Sequence, residues 1–241
     1  MIFTGEHWYV GLLQVLVFAA ETACVLRFVR RYPVVNLTFV RCVGAALFAG
    51  KMAEYILKQA IPLDFSTLSY FLMGVAVFVP LRPLRSTASF CGMLSGMIYA
   101  VTLALFPESH FNSGINEATL FTAMLNHNLL YAGGLALSAY YVFRKEDVVW
   151  IFGWIGIFVC YVFLMSARFG DGGTTILKIL DGSVVTMAFP DFVPTAWYYA
   201  LYYTACILLL ATLSAVFFVA NRRLHCRDAR RFLDFPRRIA S

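Results

Sequence analysis

His127 is the residue in this chain best suited to move a proton. It sits in the run TAMLNHNLLYAGG, otherwise mostly apolar, with Asn126 and Asn128 on either side. A neutral imidazole is costly to hide among hydrocarbon, and it is a suitable base for activating a hydroxyl. Candidate hydroxyls lie upstream in IPLDFSTLSYF, where Asp64 is followed by Ser66, Thr67 and Ser69. Ser66 with His127 fits nucleophile-plus-base logic if their helices are neighbours, with Asn126 or Asn128 as oxyanion donors. The same residues read equally well as helix-start hydroxyls, with Asp64 capping the helix through its carboxylate.

Other ionisable groups stand in apolar runs, where each is costly unless paired or hydrated. Glu21 and Arg41 fall about 10 Å from the same interface by helical rise, so they are expected to pair across adjacent antiparallel helices. A structural pair that fixes register is the simpler reading, and a catalytic one the sharper. Lys51, Glu54 and Lys58, spaced i, i+3 and i+7, form one polar stripe, read as facing a hydrated cavity or snorkelling outward. Neither a metal nor a diffusible cofactor is expected, because no histidine and carboxylate cluster has ligand spacing. The six cysteines show no CxxC pair and read as small buried hydrophobes rather than a disulfide framework or zinc site.

The elements that must position these groups follow from composition. The chain has 241 residues, 61% hydrophobic, 17% aromatic and only 13% charged, with a mean hydropathy of +0.76. A soluble domain carries about 25% charged residues, so this apolar excess exceeds what one water-soluble core can hold. The numbers also exclude disorder. The fold class expected is all-α: a polytopic membrane protein with seven transmembrane helices. With about 20 apolar residues per crossing, the spans fall at Trp8–Arg27, Val34–Lys58, Leu63–Leu81, Thr87–Phe106, Ala118–Phe143, Val148–Ser166 and Thr195–Ala220. Arg168–Pro194 reads as a re-entrant or interfacial element, because its apolar stretch is short and carries Lys178 and Asp181. The first span lacks a basic start and a cleavage site, so it is not read as a signal peptide.

The formal charge of +6 does not point to nucleic acid, because seven basic residues are gathered in the tail RRLHCRDARRFLDFPRR. Residues 1–220 are read as the membrane domain and 221–241 as a basic cytoplasmic tail facing anionic headgroups. Alternating the loops places fourteen basic residues on one side and three on the other, namely Lys58, Arg168 and Lys178. By the positive-inside rule the N-terminus is outside and the C-terminus cytoplasmic. The location expected is the cell (inner) membrane, multi-pass, and the partners expected are membrane lipids and a membrane protein, with no nucleic acid.

Several segments resemble the YwaF-like integral membrane proteins, a family related to transmembrane protein 164. IPLDFSTLSYF resembles the LPLHLCD-type segment opening the third span. FCGMLSGMIYAVTLALFPES resembles the small-residue-rich fourth span, and TLFTAMLNHNLLYAGG the histidine-bearing span that follows. SARFGDGGTTILKILDG and PTAWYYALYY are similar to the family's later loop and its entry to the last span. In the transmembrane protein 164 branch, the resemblance implies acyl transfer to phospholipids by a Cys working with the later His. Those positions fall on Ser66 and His127, and the motif's own histidine falls on Asp64. A serine needs stronger base assistance than a thiol, so the departure at Ser66 leaves lost activity as an equal outcome.

Three functions therefore compete. One is an intramembrane lipid acyltransferase or lipid hydrolase using Ser66 and His127, with Asp64, Thr67, Asn126 and Asn128 in support. Another is a non-catalytic scaffold or partner subunit, for which small-residue spacings such as Gly92 and Gly96 supply helix packing. The third is a small-solute carrier with Asp64, Glu54 and Lys51 near an outer vestibule. The lack of repeats counts against that last reading.

Overall fold

The computed structural model describes residues 6–111, 116–170, 175–183 and 193–224, and every regular element among them is helical. In chain order these are α1 (Trp8–Arg31), α2 (Pro33–Lys58), α3 (Phe65–Ala76), α4 (Arg82–Leu105) and α5 (Pro107–Phe111). Then come α6 (Glu117–Leu137), a 3-10 turn (Ser138–Tyr140), α7 (Lys145–Phe169), α8 (Thr175–Leu180) and α9 (Ala196–Leu224). Five of them, α1, α2, α4, α7 and α9, are long and apolar enough to cross a membrane. The protein is a helical, multi-pass membrane protein.

Two expected spans differ from that set. Instead of a helix over Leu63–Leu81, α3 holds 12 residues, about 18 Å and short of a bilayer core. Pro62 and Pro80 bracket it: a residue before proline is disfavoured in the α region, and the chain turns at Val77–Val79 before Pro80. The expected helix over Ala118–Phe143 stops at Leu137. Its end is held by Asn221 of α9, whose Nδ2 donates to Ser138 O (3.0 Å) and Tyr141 O (3.4 Å) while its Oδ1 accepts from Phe143 N at 2.7 Å. Helix ends leave orphan carbonyls, and here one buried amide side chain takes up those of the turn that follows α6. The boundary expected at residue 220 falls within α9, and residues 225–241 of the tail lie outside the described residues. Of the expected interfacial element, residues 168–170, 175–183 and 193–194 are described; they include the six-residue α8, whose carbonyls at Ile179 and Leu180, and that of Gly182 just beyond, accept from Tyr202, Tyr203 and Tyr198.

Contacts between helices give their relative directions. Gly44 and Phe48 of α2 meet Val77 and Gly74, while Tyr55 meets Thr67, so α2 and α3 run antiparallel. Ser89 Oγ of α4 donates to Gly134 O at 2.6 Å, and Gly96 abuts His127 and Tyr131, so α4 and α6 are antiparallel as well. These two helices form the centre. Small residues bring their backbones together: a Cβ added at Gly134 would stand 2.9 Å from Ser89 O, and one at Gly92 3.1 Å from Leu130 O. The role expected for Gly92 and Gly96 is thus realised as α4–α6 packing. A continuous core of Val40, Tyr70, Met73, Phe90, Leu130 and Phe143 joins α2, α3, α4 and α6 to the start of α7. Outside it, α7 and α9 expose Val149, Ile157, Leu164 and Leu201, an apolar surface suited to lipid. Cys91 is buried as expected, but Cys24 of α1, Cys42 of α2 and Cys160 of α7 are exposed. Hydrocarbon solvates a thiol without burial in protein, so in a membrane helix a small hydrophobe need not face the core.

Candidate functional site

His127 lies between α3 and α4 near the end where α4 finishes and α6 begins. Its Nδ1 is 2.8 Å from Ala123 O. A carbonyl only accepts, so Nδ1 carries the proton, and Nε2 keeps its lone pair. No described residue bonds to that nitrogen. Tyr99 of α4 stacks flat on the imidazole, with ring centroids 4.1 Å apart and planes at 11°. Tyr70 of α3 stands edge-on at 6.0 Å, its hydroxyl 3.5 Å from Nδ1, which is a long contact. Gly96 makes this possible, since a Cβ there would lie 2.7 Å from His127 O. The hydroxyl of Tyr99 is buried without a hydrogen-bond partner.

A charged rim adjoins these rings. Lys51 Nζ sits 5.2 Å from the Tyr70 ring centroid, a cation–π placement. Glu54 accepts from both Lys51 (2.6 Å) and Lys58 (2.7 Å), so the polar stripe closes on itself as one ion-paired group. On the other flank, the His110 ring of α5 meets Tyr99 edge-on at 5.5 Å. The α5 turn is tied to the start of α1 by His7, which stacks on Phe111 at 3.7 Å and bonds Glu108 through its backbone N (2.6 Å) and Nδ1 (2.9 Å).

Those two bonds from His7 hold the Glu108 carboxyl below its ordinary value of 4.5. A depressed carboxyl contributes stability that is complete above the ordinary value and is lost as pH falls through the lowered one. The His7 amide is therefore expected to be protected from hydrogen exchange near neutrality, and to lose that protection on acidification. Glu108→Ala should remove it at every pH. Equal exchange in the two proteins at neutral pH would show that the bond does not persist in solution.

The expected residues are distributed as follows. Ser66 is half-buried on α3, one turn before Tyr70, and no hydrogen bond joins it to His127 among the described residues. Side chains on a helix lean toward its N-terminus, so Tyr70 covers the turn that holds Ser66. Tyr70, not Ser66, is the α3 side chain that reaches the imidazole. Thr67 is buried and exchanges a 2.7 Å hydrogen bond with Tyr55. Asp64 occupies the N-cap of α3 without a side-chain cap; its backbone oxygen accepts from Thr67 N and Leu68 N. The carboxylate expected to cap makes no cap bond. Asn128 is committed to Gln14 at 2.9 Å, so its amide faces α1 and not the imidazole's open nitrogen. Asn126, half-buried, makes no side-chain hydrogen bond among the described residues.

The expected Glu21–Arg41 pair does not form. Glu21 Oε2 is buried without a partner, whereas Arg41 is exposed and lies near Arg85 and Tyr140. Rotation about the helix axis separates them, since Asn36, Val40 and Gly44 turn the buried face of α2 toward α3 and α6.

Sequence reasoning missed Tyr70, Tyr99 and Gln14. The available signal was the same as for His127, a polar atom in an apolar run that needs a partner. No family model, curated protein or solved structure matches the chain.

Proposed function

We propose that the chain is a seven-span protein of the cell membrane, N-terminus outside and basic tail cytoplasmic, that receives a lipid-borne polar group at the His127 cluster and uses His127 as proton acceptor. The observation that carries this reading is the open Nε2 of His127, left as a lone pair because Nδ1–H is engaged by Ala123 O. Stacking on Tyr99 and the edge of Tyr70 restrict the ring, so the acceptor is aimed before any ligand arrives. The seven spans are the five long helices, α6, and α3 extended by its flanking residues over Leu63–Leu81, with α3 antiparallel to α2 and α6 antiparallel to α4. Basic residues Arg27, Arg31, Arg82, Arg85, Arg144 and Lys145 gather at one end of that arrangement, which supports the orientation.

The specific chemistry is acyl transfer or ester hydrolysis, supported by the resemblance of IPLDFSTLSYF and the His127 segment to the YwaF-like proteins. Ser66 Oγ attacks the lipid ester carbonyl and forms the new C–O bond as its proton passes to His127 Nε2. Collapse breaks the bond to the lipid alcohol, which leaves with that proton. A second alcohol or water then releases the acyl group by the reverse proton route. Tyr70 stands over the Ser66 turn at rest, so its side chain must rotate for Ser66 to reach Nε2. The alternative is a scaffold in which the same cluster only binds.

A fluorophosphonate probe tests the reading on the full-length protein in lipid nanodiscs. The expected result is a covalent adduct on Ser66, absent from Ser66→Ala and lowered about 100-fold in rate by His127→Ala, the scale of general-base assistance. Absence of any adduct in the folded wild type would leave the scaffold; an adduct indifferent to His127→Ala would remove His127 as base.

A further inference from the structure

Glu21 belongs to no part of the site described above, and its surroundings ask for a proton. It is the fourteenth residue of α1, so helical rise puts it about 20 Å along a helix of about 36 Å, near mid-membrane. Its carboxyl makes no hydrogen bond or ion pair among the described residues, and Oε2 is fully buried. An ionised carboxylate at that depth has neither water nor a counter-charge, whereas the acid form is neutral. The titratable side chain facing it is Tyr131 of α6; no lysine, arginine or histidine of α2, α4 or α5 is paired with it among the described residues.

Beside Glu21 the seam between α1 and α6 is polar. Thr22 Oγ1 donates to Phe18 O at 2.7 Å, so in the 3.0 Å contact with Tyr131 the phenol is the donor and the threonine the acceptor. The phenol oxygen keeps its lone pairs as acceptors, and Glu21 lies within electrostatic reach of it. Two turns nearer the start of α1, Gln14 and Asn128 exchange hydrogen bonds, and Asn128 adjoins His127 in sequence. An apolar seam would need none of these groups. Together they mark a line of donors and acceptors between the mid-membrane carboxyl and the end that carries His127.

We propose that Glu21 is a proton-binding site within the membrane, which holds its proton at rest and exchanges it with water along the polar seam between α1 and α6. The ligand is a proton, and the site stands apart from any lipid chemistry at Ser66.

Dicyclohexylcarbodiimide, which partitions into lipid, reads the first half of this claim on the full-length protein in liposomes. The carboxyl O–H adds across one C=N bond: a new C–O bond forms, the proton moves to nitrogen, and the O-acylisourea rearranges to a stable N-acylurea. An ionised carboxylate lacks the proton that the addition needs. Mass spectrometry is expected to place the adduct on Glu21, to find it diminished as pH is raised, and to lose it in Glu21→Gln. Infrared difference spectra between H2O and D2O read the second half, as a carboxylic C=O band that shifts in D2O and is missing from Glu21→Gln. Glu21→Gln is expected to fold with the wild-type melting temperature, because one neutral group replaces another. An unlabelled Glu21, a C=O band that does not shift, or a Glu21→Gln protein that fails to fold would each overturn the proposal. Protection from labelling when sodium replaces choline at constant ionic strength would overturn the proton as ligand and give the site to a metal cation.

Discussion

Replacing Arg82 by methionine is expected to lower the stability of the folded protein by about 3–5 kcal/mol, the usual cost of leaving one charge of a buried pair uncompensated. Arg82 Nη2 donates to Asp147 Oδ2 at 2.7 Å and to Val142 O at 3.3 Å, tying the start of α4 to the start of α7. The two partners are not equally placed. The Asp147 side chain is 3% exposed and that of Arg82 is 32% exposed. Removing Arg82 therefore strands a buried carboxylate, whereas removing Asp147 frees a guanidinium that already reaches the surface. Asp147→Leu should cost less on the charge side, and it adds a loss of about 1 kcal/mol because the Asp147 carboxylate also accepts from Arg144 N at the head of α7. The double variant Arg82→Met with Asp147→Leu should recover most of the single loss. Thermal unfolding of the four proteins in detergent gives the cycle. Additive losses would show that the two side chains are not coupled.

Neither Arg82 nor Asp147 announced this role in the sequence, where Arg82 is one of the basic loop residues that orient the chain and Asp147 one charge among the four of RKED. What was legible there is what hydrophobic length and punctuation control. Prolines and charges between apolar runs separate the long helices: α2 opens on Pro33 beside the expected Val34, while α4 begins at Arg82 and α7 at Lys145, a few residues ahead of the expected Thr87 and Val148. Where the reading failed, the deciding contact came from elsewhere in the chain. Asn221 ends the structure after α6 from more than 80 positions away, and its amide has no local signature. Counting residues supplies an expected depth for Glu21 and Arg41, but rotation about the helix axis depends on which face packs, and glycine contacts at Gly44 and Gly74 set that face. His127 was legible as a buried polar residue, because any imidazole in an apolar run demands partners. That its neighbours would be Tyr70 and Tyr99 was not, because aromatic residues in a membrane helix face protein or lipid equally well.

Gly96→Ala is expected to destabilise the protein by about 1–3 kcal/mol through overpacking, and to disturb the candidate site in the same step. The added Cβ would lie 2.5 Å from Tyr131 Cβ and 2.7 Å from His127 O. Neither neighbour is the free end of a flexible side chain, so α4 and α6 must separate for the methyl to fit. Helix propensity opposes this: alanine is favoured over glycine in a helix interior by about 0.5–1 kcal/mol. The separation outweighs that gain at Gly96. At Gly156 of α7 nothing lies within 4 Å of the added Cβ, so Gly156→Ala should show the propensity gain alone and raise the melting temperature. Gly92→Ala falls between the two, since Met73 Cε at 3.0 Å can swing aside while Leu130 O at 3.1 Å cannot. A second readout separates general loosening from movement at the site. His127 imidazole resonances should shift in Gly96→Ala, because the Tyr99 ring stacked on them is carried by α4, and they should stay in place in Gly156→Ala. Wild-type stability with unmoved His127 resonances in Gly96→Ala would mean that the two central helices are not in contact at His127, and that Tyr99 does not hold the base.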